Sequence, residues 1–151
     1  PMKVTGSGCE GISVTKVSKA KSASQRSFVL EGDPDSSSHF GLDEIVYTFG
    51  SDADAKAFSS TVIKNIKGCE TREQTATVKA GATLPSPANG QLFTVDQLVT
   101  VDKAARTRVI VASSGKQAVY IAANPTAKFD LTDAEWLAVG NRALTRAKQL
   151  P

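Results

Sequence analysis

The spacing of apolar residues changes along this chain, and each change marks an element. "RSFVLEG", Arg26 to Gly32, and "LDEIVYTFG", whose apolar part runs from Leu42 to Phe49, have the β-branched and aromatic content of strands. Between them "DPDSSSH", Asp33 to His39, is a surface loop by its turn residues, so the two strands are placed to pair as a hairpin. Upstream, "CEGISVTKV" fits a short strand or a helix, and "SKAKSASQ" reads as a polar stretch. The period then lengthens. Ala55, Phe58, Val62, Ile66 and Cys69 recur every three or four positions and predict the buried stripe of a helix over about 51–67. Ser51 is its N-cap, Asp52 and Asp54 face the positive end of the helix dipole, Lys64 and Lys67 the negative end, and Gly68 is expected as a left-handed stop.

After that helix the period shortens again. "TREQTATVKAG" suits a strand, "ATLPSPANGQ" is a Pro/Gly loop, and Leu92 to Val101 returns to strand character. "ARTRVIVA", the turn "SSGK" and "QAVYIAA" form the clearest hairpin, with Val109 and Val111 alternating against Ile110 and Ala112, and Val119 and Ile121 against Tyr120. Successive strands of this kind imply an antiparallel meander. A second helix is predicted over about 132–149. Thr132 and Glu135 match a capping box, Leu131 and Trp136 a hydrophobic staple, and Leu137, Gly140, Leu144 and Ala147 the stripe that packs on the sheet. Arg142, Arg146 and Lys148 complement its C-terminal end. The pattern predicts an α+β fold, an antiparallel β-sheet packed by two main helices, in a single domain over 9–150 behind a flexible N-terminal segment 1–8. No internal repeat interrupts it.

Composition adds bounds. The 151 residues are 40% hydrophobic and 22% charged, ordinary for a chain that folds alone. The net charge of +3 raises the question of nucleic acid, but the basic residues are scattered. The densest cluster, Lys16, Lys19 and Lys21, has no interleaved aromatics, so no nucleic-acid partner is expected. No apolar run approaches the ~18 residues of a membrane span, and residues 1–20 lack a signal-peptide core. The start at Pro1, with Met2 behind it, leaves room for a membrane tether or lipid anchor ahead of residue 1.

Two cysteines and one histidine, His39, are too few for a structural zinc site without oddly spaced carboxylates, so neither metal nor cofactor is expected. For the cysteines two readings stay open. A Cys9–Cys69 disulfide closes a loop of 69 − 9 = 60 positions. On the chain-entropy model that is worth about 4 kcal/mol, and it requires an oxidising compartment. Alternatively both are small buried residues of a cytosolic protein. The glycine-rich "GSGCEG" around Cys9 offers little apolar packing, which favours the bond. It also lacks the apolar run that precedes a lipidated cysteine.

Candidate chemistry is sparse. Ser36, Ser37 and Ser38 beside His39, with Asp33, Asp35 or Asp43 as the acid, offer the parts of a hydrolase triad, but nucleophile and base share one hydrophilic loop and no G-x-S-x-G occurs. Asp43 and Glu44 are adjacent on a strand and point to opposite faces, which does not suit paired-carboxylate chemistry. "GSGCEG" has neither the preceding strand nor the following helix of a phosphate loop. A non-enzyme is expected.

"YTFGSDADAKAFSSTVIKNIKGC", the "RTRVIVASSGKQAVYIAA" hairpin and the closing "LTDAEWLAVGNRALTRAKQL" together resemble the actinobacterial extracytoplasmic sensor domains. These occur as the external C-terminal domain of membrane Ser/Thr kinases such as mycobacterial protein kinase H, and as free secreted proteins or lipoproteins. The resemblance spans about residues 9 to 150. It implies helices on an antiparallel sheet, a cleft for a small ligand, no catalysis, an extracytoplasmic location, and a disulfide that maps onto Cys9 and Cys69. Ile66 stands where many members have a tryptophan, and the second disulfide of such members has no counterpart in this sequence, which favours a free or lipid-anchored relative.

The reading is a non-catalytic sensor or ligand-binding domain. Tyr47, Phe93 and Tyr120 are expected on an open face of the sheet as contact area, with Arg106 or Arg108 holding an anionic group. The competing view makes each tyrosine a core residue with its hydroxyl at the surface. The partner is an unknown small molecule or, in the first rival reading, a cell-envelope protein met by a secreted or lipid-anchored interaction module. The second rival is a small hydrolase using the Ser36–His39 loop.

Overall fold

The computed structural model describes residues 3–5, 9, 11–13, 19–29, 41–72, 75–101, 103–126 and 129–149. The Ser36–His39 loop lies outside them. Strands β1 (Lys3–Thr5) and β2 (Gly11–Ser13) pair antiparallel as a small separate sheet. The main sheet has six antiparallel strands: β3 (Ala20–Val29), β4 (Gly41–Phe49), β5 (Ala76–Thr83), β6 (Asn89–Thr100), β7 (Lys103–Ser114) and β8 (Gln117–Asn124), in the order β3-β4-β8-β7-β6-β5.

The fold is α+β, as the apolar pattern predicts. β5 to β8 form the expected meander, while α1 (Asp52–Lys67) carries the chain across one face from β4 to the far edge at β5. β3 begins at Ala20 and takes in most of the polar "SKAKSASQ" stretch, because pairing with β4 from Ala20↔Phe49 to Val29↔Gly41 satisfies its backbone. As an edge strand it has little apolar burial to advertise in its sequence. In the β7–β8 hairpin the two-residue turn has Gly115 at φ +58°, a conformation glycine adopts without strain.

Alternation along the central strands divides the core into two clusters. Ile45, Tyr47, Phe49, Val109, Val111 and Tyr120 point to one face and pack beneath α1. Val46, Ile110, Ala112, Val119 and Ile121 point to the other and pack beneath α3 (Asp133–Ala147). The sheet is sandwiched, so its middle strands are apolar on both sides.

α1 buries Ala55, Val62 and Ile66 as predicted, and Ser51 caps it. Phe58 is half-buried, its ring 4.7 Å from that of Tyr47 and 5.5 Å from that of Phe49. Ser59, not read as buried from sequence, is fully enclosed. Its hydroxyl donates to the Lys56 carbonyl at 3.0 Å, which leaves its lone pairs for Ser113 Oγ at 2.9 Å and the Asn89 amide at 3.3 Å. The expected left-handed stop at Gly68 is corrected: its φ is −84°, its N–H donates to the Lys64 carbonyl, and the chain turns directly into α2 (Cys69–Arg72).

α3 starts with the predicted capping box, Thr132 and Glu135 each bonding the other's backbone N–H. Two glycines allow close approach. A Cβ at Gly140 would stand 3.0 Å from Ile110 Cγ2, and one at Gly90 would stand 2.6 Å from the Val111 carbonyl oxygen.

Cys9 and Cys69 are joined in a disulfide with 5.4 Å between their Cα atoms, so the open question of bonded or separate cysteines resolves in favour of the bond. Cys69 is fully buried and Cys9 packs against the α1-side core. The buried cysteine that opens α2 thereby fastens the segment around Cys9 to the domain.

Candidate ligand groove beside the edge strand

The five residues expected to bind a ligand do not converge. Tyr47, Phe93 and Tyr120 share the α1 side of the sheet and are at most 1% exposed. The expected open face at these residues is therefore corrected: α1 covers them, and the Tyr47 hydroxyl is itself buried, without a hydrogen-bond partner among the described residues. Burial pushes the Tyr47 phenol well above its usual range.

Arg106 and Arg108 lie four and two positions before Ile110 and so belong to the opposite, α3 side. Both are engaged. Arg106 makes a two-pronged bond to Asp96, at 2.7 and 3.0 Å, which holds that carboxyl below its usual range. Arg108 donates to Thr94 at 2.6 Å, Asp133 at 3.1 Å and Asp130 at 3.4 Å. Burial alone would push the Asp130 carboxyl up, but bonds from the Trp136 indole at 3.1 Å and from Arg108 outweigh it and hold the group low. Arg108 thus pins the start of α3 to β6 and β7. A depression of about 490 Å³ beside Arg106 is also lined by Asp96 and Asp130, so the arginine meets carboxylates already in place.

A cavity lies at a different corner of the sheet. α3 packs chiefly on β8 and β7, Arg146 in its last turn bonds Glu44 on β4, and Ser24 and Arg26 on the same side of β3 stay exposed. Antiparallel register sets Arg26 opposite Glu44 and Ser24 opposite Val46. These four, with Arg146, Ala147 and Gln149 from the end of α3, line a cavity of about 300 Å³, the lower end of the range for small-molecule sites.

Its electrostatics follow from one buried carboxylate. Glu44 is 6% exposed, and an ionised group there must be paired. Arg146 supplies the partner, Nη2 to Oε2 at 3.1 Å, and is held across the rim by that bond. Arg26 is exposed and has no ion-pair partner among the described residues. Glu44 and Arg146 cancel, so the groove keeps the one positive charge of Arg26. Val46 and Ala147 give it an apolar floor.

Sequence reasoning passed over this site, although a signal existed. Glu44 falls between Leu42 and Val46 at positions of one parity, and a charge inserted into an apolar stripe calls for a partner. That the partner lies 102 residues away is tertiary information.

No protein-family model matches the chain, and no curated protein matches it. Among solved structures, it is similar to PA94, a Pseudomonas aeruginosa protein of unknown function, at 14% identity and a TM-score of 0.48, over 87% of this chain and 85% of that one. It is also similar to the extracellular domain of PknH from Mycobacterium tuberculosis, at 11% identity and a TM-score of 0.48, over 99% of this chain and 98% of that one. These are weak, low-identity resemblances and fall short of a family assignment.

Proposed function

We propose that this chain is a non-catalytic, extracytoplasmic binding domain that takes a small ligand in the groove between β3 and the end of α3. The observation that carries the reading is the Glu44–Arg146 bond at 3.1 Å, which fixes a charged rim beside an apolar floor before any ligand arrives. The Cys9–Cys69 disulfide supports the location, since such bonds persist in oxidising compartments. Among the described residues no helix is long and apolar enough to cross a membrane.

A small-fragment screen followed by two-dimensional amide NMR tests the proposal. Hits should perturb amides near residues 24–26, 44–46 and 146–149. Hits that cluster elsewhere, or none, refute the groove. A second reading, an interaction module for a cell-envelope protein, is favoured by one feature: Phe28 and Val29, 48% and 65% exposed, end the edge strand. In that case a partner should shift the amides of β3 along its whole length.

A further inference from the structure

We infer that the ligand of this groove is an organic monoanion with a small apolar body, a carboxylate held by the guanidinium of Arg26; this rests on the binding reading above. Charge accounting selects the sign. A cation would have to take Glu44 from Arg146 and would leave that arginine facing the unpaired Arg26. A neutral ligand would leave Arg26 unanswered. An anion pairs with Arg26 and leaves the Glu44–Arg146 ion pair intact.

The same accounting selects the magnitude. A phosphate dianion is best served by two free guanidiniums, but Arg146 is committed to a carboxylate that is 6% exposed and cannot be left alone without a large desolvation penalty. One unpaired guanidinium matches one carboxylate, whose two oxygens fit its donor fork. Ser24, next but one to Arg26 on the strand, brings a hydroxyl to the same side. Beyond the charged rim Val46 and Ala147 offer contact to an aryl or branched alkyl group.

Benzoate, benzamide, benzamidine and phenyl phosphate are four probes of nearly one shape and four charge states. Each is titrated into the wild-type chain and into Arg26→Gln, with the amide NMR spectrum as readout. Benzoate should bind at the groove at least tenfold tighter than benzamide or benzamidine, and lose that advantage in Arg26→Gln, whose spectrum otherwise stays that of the folded wild type. If benzamide or benzamidine binds as well as benzoate, the groove stands and the carboxylate assignment falls. Tighter binding of phenyl phosphate shows Arg146 free to leave Glu44 and also overturns it. Benzoate binding unchanged in Arg26→Gln removes Arg26 from the site. If no probe perturbs the groove, the binding reading fails together with the inference.

Discussion

Tyr47→Phe separates a core tyrosine from a ligand-binding one. In the structure the Tyr47 ring is fully buried between Phe49 and Phe58, and its hydroxyl has no hydrogen-bond partner among the described residues. A buried polar group without a partner costs about 1–3 kcal/mol, whereas the phenyl ring keeps every apolar contact of the phenol ring. The variant should gain about 1 kcal/mol, a rise of about 2–4 °C in Tm for a domain of this size. Urea denaturation is the assay, with the midpoint rising at constant slope.

The pH dependence gives a second readout. The folded-state phenol titrates far above the unfolded value of about 10, so the folded state holds its proton when the unfolded chain has released it. The wild type therefore keeps this contribution in full below pH ~10 and loses up to about 1.4 kcal/mol per pH unit above it. Tyr47→Phe should lack that component of the alkaline slope. A variant less stable by about 1 kcal/mol or more would show that the hydroxyl is satisfied, and one with the wild-type alkaline slope that burial does not raise the phenol; either result would refute the reasoning.

Gly90→Ala places a Cβ 2.5 Å from Ala112 Cβ and 2.6 Å from a backbone oxygen, so β6 and β7 must part; a loss of about 3 kcal/mol or more in chemical denaturation is expected. The double variant Cys9→Ser, Cys69→Ser should lose about 4 kcal/mol, the loop-closure entropy of a 60-residue separation, in the same assay. On acidification the sign reverses relative to Tyr47. Bonds from Lys19 and Ser51 hold Asp54 low, Arg106 holds Asp96 low and the Thr132 backbone N–H holds Glu135 low. Their contributions are present above about pH 4 and disappear as pH falls through the folded values, so Tm should decline below pH 4, and less steeply in Arg106→Gln.

Much of the fold is legible because local signals agree with tertiary ones. The Thr132–Glu135 box, the Ala55–Val62–Ile66 stripe and the β7–β8 hairpin are each specified by a short continuous stretch of sequence and appear where the pattern places them. The site is less legible for physical reasons that can be named. "IVYTF", "VIVA" and "AVYIAA" are apolar at both parities, and a strand apolar on both faces is covered on both faces. That rule, applied to Tyr47 and Tyr120, points to the core. The groove depends on where α3 ends relative to β3, a matter of helix length and packing angle that no local pattern encodes. Gly68 misled in a different way: glycine permits a left-handed stop but does not require one, and Cys69 continues into a further turn.

The bond between Cys9 and Cys69 ties the segment around Cys9 to the start of α2 and is the observation that supports the proposed extracytoplasmic location. Thiols in cells producing the protein can be trapped by acid quench, then alkylated under denaturing, non-reducing conditions and counted by intact mass. An oxidised domain takes up no alkyl group. Uptake of two, by protein trapped in its own compartment, would contradict the extracytoplasmic assignment.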